Sequence, residues 1–324
     1  MTSPSNQISE IEILVPHRIS GFFQIMDQPE ERSKKLYEKI GSRGGGPALT
    51  AFGKTKLELI NNNYSMNENH IEIMINGENR TNNAVTTLSV IQEMQKFIKI
   101  PLNLKISHEF ELPSGCGYGT SGAGALGVAL GLNLLYDLGF STMQAAKFAH
   151  IAEVINHTGL GTVGGQYVGG LSITMNPGWP FNMDNILIPS DISVVVGSFG
   201  AISTASILTH PVYREKIIHA GQEAMALIHQ HYDISNYMKI CRQFIEKTEL
   251  LKLLQLDRIE SLMKELNELS IYGASMNQLG KSVFTICKKS QINSVLEIYE
   301  RYKPTHTLKS LEICHHGPYV KFIK

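Results

Sequence analysis

The stretch ELPSGCGYGTSGAGALG, from Glu111 to Gly127, carries six glycines and three Ser or Thr residues in seventeen positions, and a long apolar segment follows. Chain this bare of side chain lies close to something, either a ligand or another part of the protein. Inside a helix each glycine costs about 1 kcal/mol relative to alanine. Yet Gly122, Gly124 and Gly127 sit with Ala123 and Ala125 where a helical pattern has already begun. Close approach explains such residues; intrinsic stability does not.

Three ligand readings compete with simple close packing. The pattern G-x-G-x-x-G occurs twice, starting at Gly117 and at Gly122. A dinucleotide-binding turn of that pattern follows a strand directly and is trailed by an acid about 20 residues on. Here Leu112-Pro113-Ser114 intervenes, and Asp137 falls in helical sequence. A P-loop is approached only by ALTAFGKT, residues 48–55, with Ala48 in place of the first glycine; its strand–loop–helix frame is missing. The third reading is a phosphate cradle of another kind. Glycines let backbone N–H groups converge on an anion, and the N-terminus of the following helix adds its positive end. Thr120 and Ser121 place hydroxyls at that helix start, one for phosphate oxygens and one for Mg²⁺.

Charge and cysteine usage narrow the partners. Lys plus Arg equals Asp plus Glu at 29 each. With no basic excess to neutralise a phosphate backbone, nucleic acid is not expected as a partner. The 324 residues, 43% of them hydrophobic, support one large domain or two ordinary ones. Cys116, Cys241, Cys287 and Cys314 contain no C-x-x-C pair, and they read as free thiols of a reducing compartment. The start MTSPSNQISE lacks an apolar signal core, and no stretch reaches about 18 apolar residues. A cytoplasmic protein without a membrane span is expected, with a homodimer left open.

Periodicity organises the chain as α+β. Residues 11–15 alternate as a strand that Pro16 should stop. Residues 27–47 read as a charged surface insertion ending in a tight glycine loop. Residues 57–60 and 71–75 alternate as strands, with turns at Asn61–Asn63 and at the hairpin signal Asn76–Gly77. Residues 84–98 have helical period, and Leu102, Leu104 and Ile106 form a strand before the glycine stretch. Helices are expected over 121–138 and, capped by Ser141, to about residue 157. The segment 158–170 is again glycine-rich. Strands follow at 171–175 and 192–196, then mostly helix from about 211, with strands at 282–286 and 319–323. A boundary near residue 200 divides the chain into 1–200 and 201–324.

The glycine stretch resembles the second motif of the GHMP kinases, Pro-x3-Gly-x-Gly-x-Ser. VPHRISGFF (15–23), GSRGGG (41–46), FAHIAEVINHTGLG (148–161) and ASMNQLGKSVFTI (274–286) are similar to the archaeal pantoate-kinase branch of that superfamily. The resemblance implies a two-domain α+β fold with a left-handed βαβ unit in the first domain. It implies ATP and Mg²⁺, and a small hydroxy acid as acceptor. ATP phosphates would lie over Pro113, Ser114, Gly115, Gly117, Tyr118, Gly119, Thr120, Ser121, Gly122 and Ala123. Ser121 and Glu153 would be the Mg²⁺ ligands, and Ser42, His150 and Thr204 part of the acceptor pocket. His150, Glu153 and His157 share one helix face, which taken alone also suits a zinc site.

Two positions depart from the branch. Its pattern has Asp after TGLG as the presumed base, where this chain has Thr162, and commonly Arg in the following strand, where this chain has Thr174. A planar bidentate Arg is not replaced by Thr without loss of charge and geometry. These departures favour mevalonate 3-phosphate, the acceptor of a modified archaeal isoprenoid route, over pantoate of coenzyme A biosynthesis. Arg18, Arg43 and Arg214 are then candidates for the extra phosphate. A catalytically inactive homologue that binds nucleotide and regulates a partner is the alternative of another class.

Overall fold

Ile11, Ile13 and Val15 alternate inward along the first strand, β1 (Glu10–Arg18). The structure is a computed structural model and describes residues 8–27, 36–60 and 69–324. Pro16 does not end β1. Its strand neighbour on one side is Phe52, while the pairing on the other side runs only from Ile11 to Leu14. The missing N–H therefore falls where no ladder needs it.

After β2 (Phe22–Met26) comes the 19-residue β3 (Gly41–Leu59). The tight loop expected to close residues 27–47 is thus strand from Gly41 onward; residues 28–35 lie outside the described residues, as does the turn expected at Asn61–Asn63. The first half of β3 pairs with β2, and its second half pairs with β1. Gly44 and Gly46 permit this, because a methyl at either would overlap the backbone of Phe22 or Ile19. The glycines are there for backbone packed on backbone.

β4 (His70–Ile75) turns through Asn76–Gly77 into β5 (Glu78–Asn79), as the hairpin signal predicts. Helix α1 (Val85–Met94) then crosses to β6 (Asn103–Phe110), which runs parallel to β4 and antiparallel to β3. This is the parallel βαβ unit. Helices α2 (Thr120–Leu135) and α3 (Thr142–Ile155) follow, and α3 starts at a complete capping box of Ser141 and Gln144. The second glycine-rich segment holds a short helix that periodicity missed, α4 (Thr162–Val168). β7 (Leu171–Asn176) pairs with the first half of β3 and with β8 (Asn182–Ile186).

β9 (Ile192–Gly200) begins a second sheet. Helices α5 (Thr204–Thr209), α6 (Pro211–Ile228), α7 (Ile234–Thr248), α8 (Leu250–Leu253) and α9 (Asp257–Leu266) come next, then β10 (Gly273–Met276), β11 (Lys281–Lys288), α10 (Ile292–Tyr302) and β12 (Thr307–Leu311). The second sheet has the order β10-β11-β9-β12. The last strand, β13 (Tyr319–Ile323), leaves it and pairs with β1 in the first sheet. One apolar core lies among α1, α2, α3 and the strands β1, β4 and β6; a larger one joins β2 and β7 to the second sheet and its helices.

Candidate active site

The glycine loop joins β6 to α2 through three left-handed positions, Gly115, Gly117 and Gly119, at φ +74°, +88° and +66°. Side chains resist that region and glycine does not. Carbonyls of the loop are tied down on both flanks. Cys116 O accepts from Ser282 Oγ at 2.9 Å and Asn277 Nδ2 at 3.3 Å. Gly119 O accepts from Gln166 Nε2 at 2.9 Å. The N–H groups at the start of α2 have no side-chain cap. A tied-down loop ending in an uncapped helix N-terminus offers the donors that an anion cradle needs.

The cradle forms one wall of a cavity of about 460 Å³. Ser114, Gly115, Gly117, Tyr118, Gly119, Thr120 and Ser121 line it. Pro113, Gly122 and Ala123 do not: Ala123 is buried in the core, and Gly122 faces Gln166 and Glu153. A second wall carries Asn83, Val85, His108 and Phe110, which the sequence reading did not single out. The alternation of Leu102, Leu104 and Ile106 continues to these last two and was the available signal. His108 bridges Thr55 Oγ1 at 2.9 Å and Thr87 Oγ1 at 3.1 Å and stacks on Phe110. A third wall brings together Arg18, Ser42, Arg43, Thr162, Thr174 and Thr204. Among the described residues no Asp, Glu or Lys lines the cavity.

Glu153 lies behind Ser121, only 1% exposed. Thr158 Oγ1 donates to its Oε1 at 2.8 Å. Burial pushes its carboxyl above the ordinary carboxylate range, against hydrogen bonds from Ser121 and Thr158. Gly159 makes room for this carboxylate, since a methyl there would overlap Oε2. A hydroxyl and a buried carboxylate are hard oxygen donors that suit Mg²⁺. Among the described residues no group of three or more His, Cys, Asp or Glu could hold a metal, so the zinc reading finds no ligand set. Two protein oxygens, with phosphate and water completing the shell, fit the habit of Mg²⁺ instead.

Two expected acceptor contacts are elsewhere. His150 donates Nε2–H to the Ile40 carbonyl at 2.9 Å and does not line the cavity. Burial holds it down to about 4, so its imidazole is neutral near pH 7. Arg214 is clamped on both carboxylate oxygens of Asp27, with Nη1 to Oδ2 at 3.0 Å, and is likewise absent from the lining. Its charge already has a partner. His157 does line the cavity, from a left-handed position at φ +53°.

Residues 82–170, which span the cradle and Glu153, match the family model for the GHMP kinases N terminal domain. The pantoate kinase of Methanocaldococcus jannaschii is 31% identical over 88% of this chain and 96% of its own length. A solved structure described as a phosphotransferase related to the CoA biosynthesis pathway superposes with a TM-score of 0.82 at 26% identity, covering 96% of this chain and 98% of that one. Mevalonate-3-kinase from Thermoplasma acidophilum superposes with a TM-score of 0.70 at 14% identity, over 97% and 98% of the two chains, a likeness of fold. The chain belongs to the GHMP kinases, in the branch of the archaeal pantoate kinases.

Proposed function

We propose pantoate as the acceptor of this ATP-dependent phosphotransferase, with the primary hydroxyl receiving the phosphoryl group. The observation that carries the reading is a cavity in which an uncapped glycine cradle meets, among the described residues, two arginines and no acid. Such a surface accepts two anions at once, a nucleotide triphosphate and a small carboxylate. The loop N–H groups bind phosphate oxygens, and Ser121 and Glu153 would hold Mg²⁺, which when bound neutralises charge on the phosphates. Transfer through a loose transition state depends chiefly on such positioning and neutralisation. It does not require a strong base, which is consistent with Thr162 where the branch has Asp.

Thr162 and Thr174 favour mevalonate 3-phosphate in the sequence. Two observations favour pantoate. Arg214 is paired with Asp27, and among the described residues Arg18 and Arg43 are the arginines that line the cavity, which suits an acceptor with one negative charge. Two pantoate kinases, 31% and 29% identical, match along 88% and 89% of the chain.

The test offers purified protein ATP, Mg²⁺ and, in turn, pantoate, mevalonate and mevalonate 3-phosphate, with ³¹P NMR of the product. Turnover with pantoate and a new phosphate monoester on its primary carbon is the expected result. Turnover with mevalonate 3-phosphate alone would replace the acceptor, and tight ATP binding without turnover on any of the three would identify an inactive homologue.

A further inference from the structure

We propose that Arg18 is the group that reads the acceptor's carboxylate, stationed for it by Gly165 of α4 and the Ser172 carbonyl of β7. The proposal rests on the hydroxy-acid kinase reading above and adds to it the residue that selects for the acid.

Arg18 is a charge in an unusual place. It is 4% exposed, and it is one of the residues that line the cavity. Nη2 donates to the Ser172 carbonyl at 2.9 Å, while Nε is buried with no partner among the described residues. No carboxylate approaches it among the described residues; the neighbour that bears on its charge is the Tyr237 phenol. Burial lowers the guanidinium to about 10, which leaves it protonated at neutral pH. A buried cation without a counter-ion is among the least favourable arrangements in a folded protein. It is expected where the counter-ion arrives with the ligand.

The surroundings are shaped for that. A side chain at Gly165 would overlap the guanidinium, so the α4 backbone lies directly against the Arg18 head group and fixes it. The planar head group offers five donors in a rigid fork, suited to two carboxylate oxygens. Thr174 lines the same wall two residues beyond Ser172 on β7, and the Ser172 hydroxyl is also buried without a partner. Arg43 is less available, because its Nε and Nη2 both donate to Gln24 Oε1, at 3.1 and 2.6 Å. The Arg18 main-chain N–H donates to Tyr118 O in the glycine loop. The nucleotide phosphates are thus the competing source of negative charge, and the experiment must separate the two.

Acceptor kinetics, together with acceptor-dependent thermal protection in the absence of ATP, are measured on wild type, Arg18→Gln, Arg18→Lys and Gly165→Ala. The acceptors are pantoate and its neutral amide. Arg18→Gln is expected to raise KM for pantoate roughly 10- to 100-fold, the cost of a charge-assisted bond, with KM for ATP unmoved. Preference for pantoate over the amide should vanish. Arg18→Lys should recover part of the loss, and Gly165→Ala should raise the same KM with the charge retained. An unchanged KM for pantoate, a preserved preference over the amide, or a parallel rise in KM for ATP would each overturn the proposal. Pantoate that protects wild type but not Arg18→Gln supports the role of Arg18 even if no phosphoryl transfer occurs. Equal protection of both refutes it while leaving the kinase reading intact; no protection of wild type, with no preference of wild type for pantoate over the amide, also refutes it, and turnover then decides the kinase reading.

Discussion

Glu153 shows what a single residue contributes here. A carboxylate enclosed by α3, Ser121 and Thr158 is poorly solvated and has no cation among its described partners. Under the proposed function it is half of a metal seat. Ser121→Ala and Glu153→Gln should each lower turnover by about 100-fold or more, as losing one transition-state partner does. Titration with Mg²⁺ should show a raised requirement, and unchanged rates in both variants would remove the assigned seat. That Ser121 and Glu153 would lie together was legible because their motifs are local. His150 was not, since helical spacing gives the direction of a side chain but not what meets it. The Ile40 carbonyl that binds it comes from 110 positions away. Arg214 was misread for the same reason, its partner Asp27 lying 187 positions back.

Among elements, the ends of helices were easiest to read. Ser141 caps α3 as expected, and Gln144 completes the box by accepting from the Ser141 N–H. Ser141→Ala should cost about 1 kcal/mol of stability and leave turnover alone. Gly119→Ala is the contrasting case, because its φ is +66° and a methyl would press on Thr162. It should cost at least about 1 kcal/mol and also raise KM for ATP. Chemical denaturation with steady-state kinetics on both variants separates capping from cradle. The first half of β3 was illegible for a physical reason. Glycine in sequence signals a loop, and only the folded partners reveal that Gly44 and Gly46 admit neighbouring backbone. The short α4 was hidden likewise, since Thr-Val-Gly-Gly-Gln has no apolar period.

For the whole molecule, acid stability follows from three enclosed imidazoles. Burial pushes His17, His108 and His150 down to about 4. Unfolded, each titrates at 6.5; between there and about 4 the unfolded chain takes up protons that the native state refuses. Stability is therefore held above about pH 6.5 and falls as pH drops toward 4. The slope contributed by the three approaches about 4 kcal/mol per pH unit at its steepest. His108→Gln should remove about one proton from that slope in pH-dependent unfolding; an unchanged slope would refute its neutral burial. Strand pairing at the same scale is the least local feature of the fold. Ser9 and Lys324 stand 315 positions apart, yet the Ser9 N–H donates to the Lys324 carbonyl at 2.6 Å beside the β1–β13 ladder. At about 5–20 residues per second a ribosome needs roughly 15 to 60 s to make that intervening chain. For all of that time the outer edge of β1 is an open template for any passing strand. The protein's hazard is thus one of timing: its yield in a cell depends on how quickly the tail is delivered, or on what shields the first strand until then.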